Sequence, residues 1–387
     1  MKTETGIKNA FIMKAKTGIT NAFIIQALNA FVGGVIYILV PLLMLERGIS
    51  IKAMGLVFAI LPLVTQSNRL IFAIVSDYIG RKKFYWLYGI MNVIHLIVYS
   101  FSMSPIGFLL GKTSEGIKDA SLWSVNRAYF LDHSRESEKS LIKMRGIGSI
   151  FNAVGMLLAG FLLIKFSYDK TLYLLVALSF LVFPNVKRLI DKNKKEISIL
   201  AVLEALSFKS KSKKFKIFFA LFFISGFYFG LTSGYIFPLF LKEKGMMATE
   251  NIGLILGFQA LLGGIFAYGL RSWGKGKNKV LIGGIMGSLL LLMLAFSKTS
   301  GLPLLVLVLG IFTGISGTGE ETIFVEIANH GSLAGDIGIL MIGTHVGMSA
   351  TQALSGFIIS SFGFAALFLS ASALNLIFVI LAFKNME

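Results

Sequence analysis

Charged side chains interrupt apolar stretches of this sequence, and these charges are the groups best able to do chemistry. Lys112, Glu115 and Asp119 recur at helical spacing within one such stretch, and Trp123 and Asn126 extend the same face. A charge at the centre of a bilayer costs about 2.5–3.5 kcal/mol, so it is kept where water, a partner or a function offsets that cost. The stripe predicts a function inside the membrane, or else a structural ion pair between Lys112 and Glu115.

A carboxyl group that binds and releases a proton inside a membrane can couple the movement of a solute to a proton gradient. Glu115, Asp119 and Glu320 lie inside apolar stretches and are the predicted proton-coupling groups. Arg69 also lies inside such a stretch, where it would either bind an anionic solute or pair with an acid on another helix. Asn29 offers a neutral hydrogen-bonding group to the same solute.

Two adjacent glutamates suggest a contact between distant parts of the chain. Glu320 and Glu321 correspond to Asn126 and Arg127 in an internal repeat described below. The matched depth of an acid and a base favours an ion pair between Arg127 and Glu321. The alternative is that one of the two glutamates lies at the membrane surface.

The elements that must position these residues are membrane-spanning helices. Apolar residues make up 55% of the chain and charged residues 14%, and the mean hydropathy is +0.79. Because soluble domains carry about 25% charged residues, this composition excludes a disordered or coiled-coil protein and argues against a soluble enzyme. A helix of about 20 apolar residues crosses a bilayer. Twelve stretches are predicted spans: 19–45, 52–77, 84–103, 107–131, 144–166, 171–187, 215–241, 251–271, 279–297, 302–327, 335–360 and 363–384.

The excess of basic residues indicates the orientation of the chain. The formal net charge is +18, and Lys and Arg concentrate in alternate connections between the predicted spans. Under the positive-inside rule, this pattern predicts a multi-pass protein of the cell membrane with both termini in the cytoplasm. It also explains the charge without a nucleic-acid partner. The N-terminus lacks the pattern of a signal peptide, and the repeat of TGIKNAF as TGITNAF leaves both Met1 and Met13 open as the start.

The longest polar stretch divides the chain into two parts. Residues 187–214 are predicted to form a basic cytoplasmic linker that lies on anionic headgroups. An N-terminal bundle of six helices (1–186) would precede it, and a C-terminal bundle of six helices (215–387) would follow.

The two parts resemble each other. PLLMLERG (41–48) ends the first span and PLFLKEKG (238–245) ends the seventh. RAYFLD (127–132) and ETIFVE (321–326) end the fourth and tenth spans. Parallel repeats related by a pseudo-two-fold axis along the membrane normal are typical of transporters that bind solute between the repeats.

The loop after the second span carries a motif. SDYIGRKKF contains Asp77, Gly80, Arg81 and Lys82, and this spacing resembles the G-x-x-x-D-x-x-G-R-[RK]-[RK] signature of the major facilitator superfamily. Ala73 replaces the first glycine of that signature. The resemblance implies an all-α membrane fold of twelve transmembrane helices, which would act by alternating access between two bundles.

The resemblance also implies roles for particular residues. Asp77, Gly80, Arg81, Lys82 and Asp132 would form a cytoplasmic gate in which Arg81 reaches Asp132. In the fourth span, the spacing of Lys112 and Gly116 is similar to a family pattern linked to proton coupling, with lysine in place of arginine.

These observations predict a secondary active transporter that is coupled to protons and exports small amphipathic compounds. The first alternative is import of a small polar or anionic metabolite, which Arg69 and Lys112 favour. A different class is a non-transporting membrane sensor on the same fold. An enzyme is not expected, and neither is a cofactor or metal centre, because the chain has no cysteine and four histidines. The expected partners are a small solute, protons and the lipid bilayer, and the chain is expected to act as a monomer.

Overall fold

The computed structural model describes residues 2–134, 137–191, 207–208, 211–270, 272–328 and 333–386. Within these ranges, all regular secondary structure is helical. The helices are α1 (Lys2–Glu46), α2 (Ile51–Ile79), α3 (Arg81–Phe101), α4 (Pro105–His133), α5 (Ser137–Ser179), α6 (Val182–Lys187), α7 (Lys213–Gly230), α8 (Ile236–Glu243), α9 (Thr249–Gly269), α10 (Gly276–Phe296), α11 (Leu302–Ile327) and α12 (Leu333–Lys384), with a 3₁₀ turn at Thr299–Gly301.

Local sequence signals start and stop these helices. Ser50 precedes α2, and its hydroxyl accepts a hydrogen bond from the backbone N–H of Ala53 at 3.3 Å. Ser104 caps α4 in the same way, and Pro105 occupies the first turn, where no N–H is required. Gly80 separates α2 from α3 at φ +99°, a conformation that glycine adopts without a steric penalty.

Length and apolar composition identify eight candidate spans in the described residues, rather than twelve. Two of the eight are much longer than one crossing requires, because α5 and α12 each contain a break. Ser167 (φ 61°) interrupts α5 and Gly363 (φ 78°) interrupts α12. The other two predicted spans are the charged helix α4 and the interrupted pair α7 and α8. These breaks and charges account for the difference, and the count of twelve stays a prediction.

Helices on the same side of the linker pack mainly against one another. Before the linker, α1 packs on α5, and α4 packs on both α2 and α3. After it, α7 and α10 pack on α12, and α11 packs on α9 and α10. The halves of the chain meet mainly through two pairs, α2 with α12 and α5 with α9, and α1 makes a smaller contact with α8. The boundaries 1–186, 187–214 and 215–387 stay a proposal, because 192–206 and 209–210 lie outside the described residues.

The apolar core is shared between the halves at one end only. We call the end that holds Gly80 and Asp191 the linker end, and the end that holds Arg47 and Asp169 the far end. The largest cluster of buried apolar side chains contains residues of both halves, such as Leu39 and Tyr235, and reaches the far end. At the linker end, two smaller clusters each belong to a single half.

Tight contacts at the far end hold the helices together. Arg47 donates hydrogen bonds to the carbonyl oxygens of Tyr99 (2.9 Å) and Ser100 (3.1 Å) and forms an ion pair with Asp169 at 2.5 Å. These bonds join the end of α1 to the end of α3 and to the break in α5.

Candidate functional site

The polar residues of α4 form a buried ion pair rather than an open path. Lys112 Nζ lies 2.7 Å from Glu115 Oε2, and the hydroxyl of Tyr99 donates to the same oxygen at 2.5 Å. Lys112 Nζ also lies 4.3 Å from the centre of the Phe58 ring. Lys112 is 3% exposed and Glu115 is 6% exposed. This geometry matches the structural alternative of the sequence analysis, in which the two residues satisfy each other.

Asp119 has a basic partner that the polar stripe did not include. Lys118 Nζ lies 2.9 Å from Asp119 Oδ1, although Lys118 belongs to a different face of the helix. Lys118 is 2% exposed, whereas the side chain of Asp119 is 23% exposed. Lys112 and Lys118 therefore balance the charges of Glu115 and Asp119.

The remaining residues of the stripe have different environments. Trp123 is exposed. Asn126 is buried, and its amide accepts a hydrogen bond from Tyr85 at 2.8 Å and donates one to Gln26 at 2.7 Å. On α1, the side-chain oxygen of Asn29 is buried and lacks a hydrogen-bond partner within the described ranges.

A cavity lies between the two halves of the chain. Its volume is about 320 Å³. Tyr37 of α1 and Met156 of α5 line it from the first half, and residues of α9 and α11 line it from the second half. Its polar lining consists of neutral side chains, among them Tyr37, Gln259 and Thr313, and none of the charged residues predicted from the sequence lines it in the described part of the chain. Sequence reasoning missed Gln259, whose only signal is a polar residue in a glycine-rich apolar stretch.

Glu320 differs from the acids of α4 in its surroundings. It is 6% exposed, and the hydroxyl of Ser225 on α7 donates to it at 3.3 Å. Among the residues that the structure describes, no basic side chain forms an ion pair with Glu320. Of the predicted proton-coupling acids, Glu320 therefore has the least compensated carboxyl group.

The predicted pair between Arg127 and Glu321 is replaced by another. Glu321 forms an ion pair with Arg145 of α5, and both side chains are about half exposed. Arg145 lies near the start of α5, and its long side chain reaches across to α11. The pair still connects the two halves at the linker end, although through a different base.

Arg69 contacts aromatic and sulfur groups. Its Nη1 lies 3.3 Å from the sulfur of Met341 on α12, and its guanidinium carbon lies 5.9 Å from the centre of the Trp123 ring. The predicted pairing with an acid of α4 or α11 is not seen in the described ranges. Arg69 therefore remains available to an anion.

The predicted gate residues lie together at the linker end. Arg81 forms ion pairs with Asp77, at 3.2 Å, and with Asp132 of α4. The backbone N–H of Lys82 donates to Asp191 Oδ1 at 3.0 Å. These contacts tie the turn between α2 and α3 to α4 and to the first residues after α6. Their action as a gate stays a prediction.

The chain matches the model of the Major Facilitator Superfamily over residues 22–278. It belongs to the major facilitator superfamily. No curated protein sequence matches the chain. Within the described residues, no group of acidic and histidine side chains could hold a metal ion.

Solved structures of superfamily transporters share this fold. A point mutant of the nucleoside transporter NupG has a TM-score of 0.79 at 16% identity, and the match covers 95% of this chain and 99% of that one. NupG itself has a TM-score of 0.76 at 17% identity, with 95% and 98% covered. The human organic anion transporter MFSD10 (TETRAN) has a TM-score of 0.69 at 14% identity, with 95% and 99% covered.

These matches confirm the predicted superfamily and the all-α membrane fold. The protein is a multi-pass membrane protein, and its family and structural relatives point to a transporter rather than an enzyme. At such low identities, the structural matches establish the fold and leave the solute open.

Proposed function

We propose that this superfamily member is a secondary active transporter that moves a small, uncharged or amphipathic solute across the cell membrane by alternating access. The observation that carries this proposal is the cavity lined by both halves of the chain. The halves share their apolar core at the far end and have separate cores at the linker end. A relative rotation of the halves would therefore expose the cavity at either end in turn.

The lining of the cavity favours an uncharged solute. A volume of about 320 Å³ is at the lower end of the usual range for small-molecule sites, which is roughly 300–1,000 Å³. Tyr37, Gln259 and Thr313 offer hydrogen bonds, while Met156 and Leu256 offer apolar contact. We infer export, because an amphipathic solute crosses a bilayer inwards without assistance and needs a transporter mainly to leave.

Glu320 is the group that we propose for proton coupling. In the described part of the chain, no basic side chain pairs with an ionised carboxylate at this position to offset the cost of its burial, so proton binding would remove a buried charge. A change of charge inside the second half could favour one arrangement of the halves over the other. Glu115 and Asp119 are less suited to this role, because each already has a lysine partner.

Transport into proteoliposomes tests the proposal. We would impose a pH gradient and follow a panel of amphipathic fluorescent dyes, neutral nucleosides and organic anions. Glu320→Gln should abolish accumulation driven by the gradient and preserve exchange of the solute between the two sides. Glu326→Gln, at the exposed end of the same helix, is the matched control and should behave like the unmodified protein. Gradient-driven accumulation by the Glu320 variant would contradict the coupling role.

Transport of an anion is the second candidate, and Arg69 favours it. The guanidinium lies beside Met341 and Trp123 and forms no carboxylate pair in the part of the chain described. Arg69→Gln should then abolish transport of the organic anions in the panel, whereas Arg69→Lys should retain part of it. The transport rate of the neutral solutes should be the same in Arg69→Gln and Arg69→Lys.

The remaining expectations belong to this proposal as well. The protein would act as a monomer with both termini in the cytoplasm. Its gate would comprise Asp77, Gly80, Arg81, Lys82 and Asp132. A non-transporting sensor on the same fold would show solute binding with no solute accumulation or exchange in the same proteoliposomes.

A further inference from the structure

A second cavity lies at the interface between α2 and α12. This interface is one of the two main contacts between the halves, and the other is that of α5 with α9. The volume of the cavity is about 120 Å³. Gln66, Ser67 and His345 give it a polar side, and Pro62, Leu63 and Val346 contribute to an apolar side. The cavity thus combines a few hydrogen-bonding groups with an apolar wall.

Gln66, which lines this cavity, has a buried hydrogen-bond acceptor. The side chain is 4% exposed, and its Nε2 donates to the carbonyl oxygen of Gly338 at 3.1 Å. Because a carbonyl can only accept, this bond fixes which end of the amide is the nitrogen. The other end, Oε1, is buried and has no hydrogen-bond partner among the described residues. Buried acceptors of this kind are rare, so Oε1 calls for a donor.

His345 presents a second acceptor on the facing helix. Its Nδ1 lies 2.7 Å from the carbonyl oxygen of Met341, so Nδ1 carries the hydrogen of that bond. In the neutral ring, Nε2 is then a lone-pair acceptor. Gln66 and His345 together favour a ligand that donates hydrogen bonds. Since no carboxylate lines the cavity in the described ranges, a cation would lack a counter-charge there.

The mouth of the cavity belongs to the outer surface of the helix pair. On α2, Leu56, Leu63 and Ile71 share one face and are 50%, 40% and 56% exposed. On α12, Val346 and Leu354 are 40% and 55% exposed. In a membrane protein, such exposed apolar stripes face lipid.

The opposite face of α2 points into the protein. Phe58 packs against Tyr235, with ring centres 5.1 Å apart, and Met54 on the same face is fully buried. Leu63 and Ser67 therefore border the cavity on its lipid side, and Gln66 lies behind them. Gln66 is also near the middle of α2, which places the cavity close to the centre of the bilayer.

We propose that this cavity is a binding site for a small apolar molecule that carries one hydroxyl or N–H donor and reaches the protein from the bilayer. The donor would bond to Gln66 Oε1 or His345 Nε2, and the apolar part would lie against Pro62, Leu63 and Val346. The cavity is slightly smaller than an engineered cavity of about 150 Å³ that binds benzene, so a longer ligand would extend its tail into lipid. This site does not depend on the proposed transport activity, because binding can be measured without transport.

Photolabelling of the full chain in lipid nanodiscs tests the site. The probe is a hexanol that carries a diazirine, and the matched probe is the diazirine-bearing alkane of the same length without the hydroxyl. Mass spectrometry locates the adducts after irradiation. The alcohol should label residues 62–70 and 342–346 roughly tenfold more than the alkane does, which is the effect of about one hydrogen bond. An excess of unlabelled hexanol should remove this labelling.

Three variants separate the site from general changes in packing. Gln66→Leu removes the acceptor and should reduce alcohol labelling roughly tenfold. Gln352→Leu is the control, because Gln352 is equally buried at the interface of α2 and α12 but does not line the cavity, and its labelling should be unchanged. Val346→Phe fills the mouth from the lipid side without altering Gln66 and should also abolish labelling.

Two outcomes of the labelling experiment would overturn the proposal. Equal labelling by alcohol and alkane would overturn the proposal, as it would indicate a cavity that holds water or lipid tails only. Undiminished alcohol labelling in both Gln66→Leu and Val346→Phe would overturn it as well. Each variant must elute as a single species in size-exclusion chromatography. Should Gln66→Leu fail this criterion, Val346→Phe decides.

Discussion

Single residues of α4 show how a charge is kept inside a membrane protein. Lys112 and Glu115 lie one helical turn apart, and Tyr99 completes the hydrogen bonds of the carboxylate. A buried ion pair stabilises little compared with apolar residues of the same size, but removal of one partner leaves an uncompensated charge. The pair therefore behaves as a unit.

This view gives a prediction for Glu115. Glu115→Gln should lower the free energy of unfolding by about 3–5 kcal/mol, because Lys112 would stay buried without its counter-charge. The double replacement of Lys112→Met with Glu115→Leu should recover most of the loss. Thermal unfolding in detergent, followed by intrinsic fluorescence, measures both changes. Retention of transport by the double variant would identify the pair as structural, whereas its loss would return Lys112 and Glu115 to the solute path.

Two ion-pair partners could not be read from the sequence. Neighbouring residues on a helix do not face each other, so helical spacing does not predict Lys118 as a partner for Asp119. The lysine stem is long enough to curve back, and only coordinates show that it does. Glu321 likewise pairs with Arg145 rather than Arg127, because the choice depends on how α5 leans towards α11.

At the scale of elements, the contact between α5 and α9 limits how the halves can move. A methyl group at Gly160 would lie 2.5 Å from the Cα of Glu250, so the two backbones touch there. Farther along the same pair, a methyl group at Gly264 would lie 3.6 Å from the Cβ of Ser149, which is ordinary contact.

Gly160→Ala should therefore separate the halves at the far end. The added methyl group cannot be accommodated by a side-chain rotation, because backbone atoms surround it. We expect a lower transport rate and greater labelling by a membrane-impermeant maleimide at an introduced cysteine, Met156→Cys, since the chain has no cysteine of its own.

Gly146→Ala, on α5 itself, is the matched control for this change, because Gly264 lines the proposed solute cavity. Within the described residues, nothing beyond its own helix backbone lies within 4 Å of a methyl group at Gly146. This variant adds the same methyl group to the same helix, and it should leave both transport and labelling near the unmodified level. Equal effects of the two substitutions would show that helix propensity, rather than the close approach, is responsible.

The elements themselves were largely predictable. Runs of apolar residues predicted α2, α3 and α9 to within a few residues, because a membrane imposes both length and composition. The breaks in α5 and α12 were predictable as well, because Ser167 and Gly363 lie at the boundaries between predicted spans. The interruption between α7 and α8 was not, because it lies inside the predicted span 215–241, where the apolar run continues.

For the whole molecule, the ion pairs of Arg81 are expected to favour one arrangement of the helices over another. Arg81→Ala should slow transport by more than it weakens solute binding, because it removes contacts to Asp77 and Asp132 at the linker end and leaves the cavity unchanged. Rates from proteoliposomes and affinities from scintillation proximity binding provide the comparison.

Lys83→Ala is the control in the same first turn of α3, where it removes an exposed positive charge. It should change neither the rate nor the affinity by more than about twofold, as exposed charges contribute little. A variant of Arg81 that binds poorly but transports at the normal maximal rate would argue against the gate.

The proposed solute cavity is the feature that the sequence predicted least well. Charged residues were the predicted site residues because their burial is costly, yet the cavity between the halves is lined by Tyr37, Gln259 and Thr313. Such neutral residues also occur in ordinary helix packing, so composition cannot separate the two cases. That these residues line one cavity is visible only when two distant halves of the chain are placed side by side.

The shared apolar core at the far end has a consequence for how the molecule could be built. Because Leu39, Tyr235 and their neighbours already join the halves, the peptide chain between Lys187 and Lys213 is not needed to keep them together. Two polypeptides synthesised separately, ending and beginning in that interval, should assemble in one cell and co-purify through an affinity tag on either. The strength of their association would measure how firmly the pivot of the transporter is held.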